Sequence, residues 1–263
     1  MIKIFFISSF LFFFGCSHFQ KEIVQDNSTK NSVVAHRGAF KKNNFPENSI
    51  ASLHEAKRLK CIGAEFDVRM TLDDSLIINH DPKFNELEIE QNNYSDLAKF
   101  KLSNGEILPT LRNYILEGLK NNNYTKLVLE IKPSEISKER GKIIAEKVIR
   151  LIKELNAQPM VDYISFDYDI LKKLIEIDST VSTQYLEGDK SPEEILADKI
   201  SGIDYHYSVY QKHPEWIINA KKYNLILNVW TVNEEKDLLW ALKNNFDFIT
   251  TNEPELLFRL INK

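Results

Sequence analysis

From residue 33 onward, short apolar runs alternate with segments in which apolar residues recur every three or four positions. The runs are rich in Val, Ile and Phe, which is typical of buried strands. Candidate strands fall at 33–38, 64–69, 75–81, 126–132, 161–167, 180–186, 225–231 and 246–251, with a weaker ninth at 200–207. Helical spacing is found at 50–59, 144–155, 170–175, 216–220, 238–242 and 256–260.

This alternation predicts a parallel sheet with crossover helices. The number of units favours an α/β fold of the (β/α)₈ TIM-barrel type. A doubly wound sheet is the alternative, but no glycine-rich phosphate loop follows any candidate strand. Only residues 70–74 separate the second and third runs, too few for a helix, so we expect the barrel to be modified by a short insertion after the second strand.

The first residues differ in character from the rest of the chain. Residues 4–14 are apolar except for two serines, a stretch shorter than the ~20 residues of a membrane-spanning helix. With Lys3 before it and Gly15-Cys16 after it, the stretch resembles a bacterial lipobox, in which the cysteine is lipidated. We predict a lipoprotein-type signal peptide at 1–15, a polar tether at 16–32 and one folded domain at 33–263. An uncleaved anchor or ordinary cleavage is the alternative.

These segments predict a location in the bacterial cell envelope, with the chain held on the periplasmic or extracellular face of a membrane by a lipid anchor on Cys16. The hydrophobic fraction of 43% and the charged fraction of 27% are those of a globular protein. A net charge of -4 gives no electrostatic reason to expect a nucleic-acid partner. Cys61 is the one other cysteine, so the mature chain has no intramolecular disulfide.

Carboxylates follow two of the candidate strands. Glu65 and Asp67 are two positions apart, so they project from the same face of their strand, and Glu130 ends another strand. Three carboxylates at close range repel unless a cation lies between them. An all-oxygen ligand set favours Mg²⁺ or Ca²⁺ over zinc. The alternative is that each carboxylate pairs with a neighbouring cation such as Arg69 or Lys132.

Two histidines also end apolar runs, namely His36 and His80. Because the active-site groups of a parallel barrel come from the carboxyl ends of its strands, these histidines could act as an acid and base pair. The alternative is that each is structural.

Cationic and aromatic residues complete the set of strand-end side chains. Arg37 and Lys132 are suited to binding a phosphate. Phe166 and Trp230 could pack against an apolar part of a substrate or fill the rim of the barrel. Together with a metal and two histidines, these residues point to phosphate ester cleavage.

Eight short motifs in a fixed order resemble the glycerophosphodiester phosphodiesterase family. They are HRG (36–38), PENS (46–49), EFD (65–67), the turn at 71–73, HDP (80–82), LEIK (129–132), WTVN (230–233) and ITTNEP (249–254). The resemblance covers nearly the whole predicted domain. It implies a TIM barrel and hydrolysis of a small-molecule glycerophosphodiester to an alcohol and glycerol 3-phosphate.

The resemblance also implies roles for individual residues. His36 and His80 would be the acid and base, and Glu65, Asp67 and Glu130 would hold one divalent cation, Mg²⁺ or Ca²⁺. Arg37 and Lys132 would contact the phosphate. Glu47 and Asn48, which match PEN, would contact the catalytic and metal-binding residues and hold them in place. Two departures from the family pattern concern Asn252, where an aspartate is usual, and residues 244–248, which lack the usual glycine-rich run.

Other functions fit the same motifs. A lysophospholipase D-like or sphingomyelinase D-like activity on membrane lipids would use two histidines and a metal in the same way. A non-catalytic lipid-binding lipoprotein is a third possibility, although a binding protein needs no acid and base pair. The motifs leave open which histidine is the base, which alcohol the substrate carries and the oligomeric state.

Overall fold

Eight parallel strands close into a barrel within residues 31–262, which, with Met1, are the part of the chain that this computed structural model describes. The strands are β1 (Val33–Ala35), β2 (Gly63–Met70), β3 (Leu76–Ile78), β4 (Lys83–Phe84), β5 (Leu87–Glu88), β6 (Lys126–Ile131), β7 (Val161–Ser165), β8 (Thr183–Tyr185), β9 (Gly202–His206), β10 (Ile226–Trp230) and β11 (Phe248–Thr251). The barrel runs β1-β2-β6-β7-β8-β9-β10-β11, and β11 pairs with β1. The predicted TIM barrel is therefore confirmed.

Helices follow the barrel strands and cover the outside of the sheet. They are α1 (Ile50–Arg58), α2 (Tyr94–Leu97), α3 (Leu111–Leu119), α4 (Lys138–Glu154), α5 (Tyr168–Ile177), α6 (Pro192–Ala197), α7 (Tyr207–Lys212), α8 (Pro214–Lys222), α9 (Glu235–Lys243) and α10 (Pro254–Ile261). Helices α1, α3, α4 and α5 each follow a residue whose side chain accepts a backbone hydrogen bond, namely Ser49, Thr110, Ser137 and Asp167. The sequence pattern did not predict α2, α3, α6 and α7.

The insertion after the second strand is confirmed, but the third apolar run is not a barrel strand. β3 pairs antiparallel with β2, in a register that places Met70 opposite Leu76 and Val68 opposite Ile78. The connection of residues 71–75 is too short for the crossover that a parallel pair needs. The eighth barrel strand is instead β9, which the sequence had indicated only weakly.

Besides a small cluster of Ile77, Ile89, Leu97 and Leu108, two apolar layers hold the barrel together. The larger one lies between the strands and the surrounding helices. The smaller one fills the barrel interior and is built from Val34, Val128, Ile164 and Leu186. Other inward positions carry polar side chains, and these form the site described below.

Two described residues before β1 contact the barrel. The backbone oxygen of Ser32 accepts a hydrogen bond from Ile249, and Asn31 donates one to the backbone of Lys60. The predicted signal peptide after Met1, Cys16 and the predicted tether as far as residue 30 lie outside the described residues. Among the helices that are described, none has the length and apolar character needed to cross a bilayer.

Candidate active site

A cavity of about 250 Å³ lies at the carboxyl ends of the barrel strands, where barrel enzymes place their catalytic groups. Its polar side comes from β1, β2, β6 and the loop after β3, and consists of His36, Arg37, Glu65, His80, Glu130 and Lys132. Its other side consists of Ile164, Phe166, Leu186, Asp204, Trp230, Thr231 and Thr250. Except for Asp67, which lies directly behind the polar side, the predicted catalytic, metal and substrate residues therefore line one cavity.

Three buried carboxylates meet at the polar side. One oxygen from each of Glu65, Asp67 and Glu130 lies within 4.8 Å of the others. The parallel register of β2 and β6 causes this, because it sets Asp67 beside Glu130. Burial, followed by the charge of Asp67, raises the pKa of Glu65 well above its usual range and that of Glu130 to about 7. Burial alone would also raise the pKa of Asp67, but the charges of Lys132 and His80 hold it below its usual value.

This cluster fits a hard divalent cation. Within the described part of the chain, Glu65 Oε1 is buried and has no hydrogen-bond partner, and a buried oxygen of this kind is costly to leave unmatched. The three candidate ligands supply oxygen atoms only, the donor type that Mg²⁺ and Ca²⁺ share. The arrangement bears out the expected grouping of the carboxylates, and the choice between the two ions stays open.

Asn48 fixes the orientation of Asp67. Its amide nitrogen donates to Asp67 Oδ2 at 2.8 Å, and its amide oxygen accepts from the Asp67 backbone at 3.1 Å. The second carboxylate oxygen, Oδ1, is left facing the cluster, 3.3 Å from Lys132 Nζ. Asn48 adopts a positive φ of 58°, a conformation that asparagine tolerates better than most residues. Asn48 therefore contacts Asp67 through both ends of its amide, and its supporting role stays a prediction.

The turn after β1 places Arg37 and Gly38 against β2. The backbone nitrogen of Arg37 donates to Glu65 Oε2 at 2.8 Å, and that of Gly38 donates to the Glu65 carbonyl at 3.1 Å. Gly38 has φ +78°, and a Cβ there would lie 2.4 Å from Ser52 Oγ. The positive φ and the close approach of Ser52 both require glycine at this turn, which accounts for the third residue of the HRG motif.

Two cations flank the carboxylates. Arg37 Nη1 lies 2.5 Å from Glu47 Oε2, and its Nε lies 3.7 Å from Asp67. Lys132 Nζ lies 2.6 Å from Glu130 Oε1. Because both cations also line the cavity, they are in reach of a bound phosphate. The ion pair of Glu47 with Arg37 agrees with the supporting role expected for Glu47.

His36 is oriented by residues near the end of the chain. Its Nδ1 lies 2.7 Å from Asn252 Oδ1, and the backbone nitrogen of Asn252 donates to Asn233 Oδ1 at 2.8 Å. Since Nδ1 is engaged, Nε2 is the nitrogen left for chemistry; it lies 3.9 Å from Glu65 Oε2. Burial, and then the charge of Arg37, lowers the pKa of His36 to about 4. His36 is therefore neutral at neutral pH.

His80 reaches the cavity from the loop that follows β3. Its backbone oxygen accepts from Arg69 Nε at 2.9 Å, and the preceding residue, Asn79, donates its backbone nitrogen to the Asp67 carbonyl at 3.0 Å. His80 Nδ1 lies 2.7 Å from Asp81 Oδ1. The two histidines thus have different partners, an amide for His36 and a carboxylate for His80.

The opposite wall is largely aromatic and aliphatic. Phe166 and Trp230 pack edge to face with ring centroids 5.4 Å apart, and Trp230 Nε1 donates to the Asp204 backbone at 2.8 Å. Lys132 Nζ lies 5.7 Å from the centroid of Phe166, where the two sides of the cavity meet. Both aromatic residues line the cavity, and their contact with a substrate stays a prediction.

Two features of the site were not predicted from the sequence. They are the position of Asp204 in the cavity wall and the contact between His36 and Asn252. Asp204 lies inside a run that the pattern indicated weakly, and its neighbour Tyr205 is apolar in character, so alternation along β9 was the one available signal. The pairing of residues 36 and 252 depends on closure of the barrel between β1 and β11. Separation along the chain gave no indication of it.

Comparisons with known proteins place this site in context. A family model described as "Glycerophosphoryl diester phosphodiesterase family" matches residues 36–256. A glycerophosphodiester phosphodiesterase of Caldanaerobacter subterraneus subsp. tengcongensis is 29% identical over 248 residues, which cover 89% of this chain and 99% of that protein.

Solved structures agree with the fold. The crystal structure of a glycerophosphodiester phosphodiesterase from Parabacteroides distasonis is 35% identical, with a TM-score of 0.86 over 89% of this chain and 98% of that one. An Oleispira antarctica phosphodiesterase, solved in complex with the product sn-glycerol-3-phosphate, is 21% identical with a TM-score of 0.76 over 88% of this chain and 97% of that one. At that identity the second likeness concerns the fold.

Proposed function

Because this chain belongs to the glycerophosphoryl diester phosphodiesterase family and is a hydrolase of glycerophosphodiesters, we propose that it releases an alcohol and glycerol 3-phosphate with the help of one divalent cation and two histidines. The observation that carries this proposal is the meeting of His36, His80 and the carboxylate cluster in one cavity. The product found in the Oleispira antarctica relative supports the choice of glycerol 3-phosphate.

Binding of the phosphoryl group falls to the two cations. Arg37 and Lys132 lie beside the carboxylates and line the cavity, so their charge acts on the oxygens where negative charge builds in the transition state. A divalent cation held by Glu65, Asp67 and Glu130 would add Lewis-acid stabilisation of the same oxygens when bound. Mg²⁺ and Ca²⁺ are both compatible with these ligands.

The partners of the histidines favour one division of the proton transfers. His36 is neutral and its Nε2 is unengaged by hydrogen bonds within the described residues, so it accepts the proton from the attacking hydroxyl, of water or of the glycerol. His80 can form an ion pair with Asp81 when protonated, so it donates a proton to the leaving alkoxide. A base and an acid at opposite sides of the scissile bond are what general acid–base catalysis requires.

Release of glycerol 3-phosphate from a panel of diesters tests this function. We expect turnover of glycerophosphocholine and glycerophosphoethanolamine with Mg²⁺ or Ca²⁺, and loss of turnover with a chelator. Faster turnover of lysophosphatidylcholine or sphingomyelin would instead assign a lysophospholipase D-like or sphingomyelinase D-like activity. Absence of turnover on every diester would contradict the proposal and favour lipid binding without catalysis.

We further propose that Cys16 carries a lipid and holds the enzyme at a membrane of the bacterial envelope. The support for this location is the lipobox-like pattern of residues 1–16 and the polar character of residues 26–32. A tether of this kind would present the barrel to diesters released from membrane lipids.

A further inference from the structure

Asp204 is a buried carboxyl group in the cavity wall that the proposed reaction does not use. It lies on β9, its side chain is 1% exposed, and it lines the cavity. Within the described residues, its Oδ1 is buried and without a hydrogen-bond partner. Buried polar atoms of folded proteins normally have partners, so an unmatched one at a binding cavity indicates a group supplied by the ligand.

The barrel order places Asp204 opposite the carboxylates of β2, next to which the phosphate-binding cations lie. β9 is four strands away from β2 in either direction around the barrel, so it lies directly across the mouth from Glu65 and Asp67. A substrate whose phosphate lies between Arg37 and Lys132 therefore extends its organic part toward Asp204. The path between them is lined by Phe166 and Trp230.

The surroundings of Asp204 favour a hydroxyl over a cation as its partner. Burial, and then the charge of Glu130, raises the pKa of Asp204 well above its usual range. A neutral carboxyl can both donate and accept a hydrogen bond, as a hydroxyl can. A quaternary or primary ammonium group would instead need the ionised form.

We propose that Asp204 hydrogen-bonds a hydroxyl of the substrate's glycerol group and thereby makes the site select glycerol-bearing phosphates. This inference rests on the proposed function, and it names the residue that recognises the constant half of the substrate. The carbon atoms of glycerol pack on Phe166 and Trp230, while the hydroxyl reaches the one acidic side chain of that wall. Hydrogen-bonding sites of this kind reject analogues that lack the hydroxyl.

Calorimetric titration of the metal-loaded protein tests the proposal with three probes. These are glycerol 3-phosphate, n-propyl phosphate, which lacks both hydroxyls, and inorganic phosphate. For Asp204→Leu we expect affinity for glycerol 3-phosphate to fall roughly tenfold, and affinity for the other two probes to stay within about twofold of wild type. Asp204→Asn retains an acceptor and should lose only about threefold.

A comparison of two ligands on the same protein distinguishes a specific loss of the hydroxyl contact from misfolding of the variant. In the wild-type protein, n-propyl phosphate should bind roughly tenfold more weakly than glycerol 3-phosphate, and this difference should disappear in Asp204→Leu. Asp204→Ala serves the same comparison if the leucine variant fails to fold. Equal losses for n-propyl phosphate and glycerol 3-phosphate, or no loss for either, would overturn the inference. If the inference is overturned but the wild-type protein hydrolyses diesters, the proposed function still holds. If the wild-type protein hydrolyses no diester, both the proposed function and the role of Asp204 are contradicted.

Discussion

Asn252 shows how one side chain sets the chemistry of another. Its amide oxygen accepts from His36 Nδ1 at 2.7 Å, so the proton of the neutral imidazole stays on Nδ1 and Nε2 keeps its lone pair. The usual aspartate of the family would place a negative charge at this position. An amide orients the ring equally well and leaves it neutral, which suits a base.

Replacing Asn252 should therefore lower turnover more than binding. In Asn252→Leu the ring loses its acceptor and can adopt the other tautomer, so we expect kcat to fall roughly 10- to 100-fold with little change in KM. Asn252→Asp keeps a hydrogen-bond acceptor for His36 Nδ1 and should retain most of the wild-type kcat. Steady-state kinetics on glycerophosphocholine measure both variants, and a kcat within about twofold of wild type for Asn252→Leu would contradict the positioning role.

Glu130 makes cation binding depend on pH. In the metal-free protein its pKa is about 7, because burial and then Asp67 favour the protonated form. A divalent cation must displace the proton of Glu130 below pH 7, whereas above pH 7 that proton no longer competes. We expect affinity for Mg²⁺ or Ca²⁺ to rise from pH 6 to pH 8 and protons to be released at pH 6. Titration calorimetry in buffers of different ionisation enthalpy measures both effects, and pH-independent affinity would contradict this account.

Several site residues could be predicted from the sequence because local rules suffice for them. Glu65 and Asp67 share a face by strand alternation, and Gly38 is required by its own φ. Asp204 and the partner of His36 could not be predicted, since both depend on contacts between strands distant in the chain. Burial of Asp204 becomes evident only when the barrel has closed.

At the scale of elements, the turn between β1 and α1 is tightly constrained next to the site. We expect Gly38→Ala to lower the free energy of unfolding by roughly 3 kcal/mol, because strain at positive φ adds to a clash with Ser52. Gly105 is the matched control: its φ is +88°, and nothing lies within 4 Å of a Cβ placed there. Gly105→Ala should cost only about 1 kcal/mol. Urea denaturation measures both, and equal costs would contradict the clash.

The antiparallel hairpin of β2 and β3 interrupts the regular barrel pattern and positions His80 at the site. Turning back antiparallel after Met70 brings His80 to the barrel mouth, where Arg69 holds its backbone. The alternation of strands and helices could be predicted from hydrophobic spacing. The direction of β3 could not be read from its own residues, although the short connection before it indicated an irregularity. β9 was indicated only weakly because Asp204 and His206 interrupt its apolar pattern.

At the scale of the whole molecule, the proposed lipid anchor on Cys16 would hold the enzyme at a membrane. Wild-type protein expressed in a bacterial host should incorporate labelled palmitate and sediment with membranes, whereas Cys16→Ala should do neither. Cys61→Ala is the matched control, because Cys61 is fully buried beside the barrel. Equal labelling of wild type and Cys16→Ala would contradict lipidation at this residue.

The proposed activity requires two histidines, His36 and His80, that act on one phosphodiester. ³¹P NMR of glycerophosphocholine with the metal-loaded enzyme follows the diester and glycerol 3-phosphate in one experiment. We expect rapid conversion by wild type, none with chelator, and losses of roughly 100-fold or more for His36→Ala and for His80→Ala. His54→Ala, which alters an exposed histidine paired with Glu117, should match wild type. Wild-type conversion by both His36→Ala and His80→Ala would contradict the central claim.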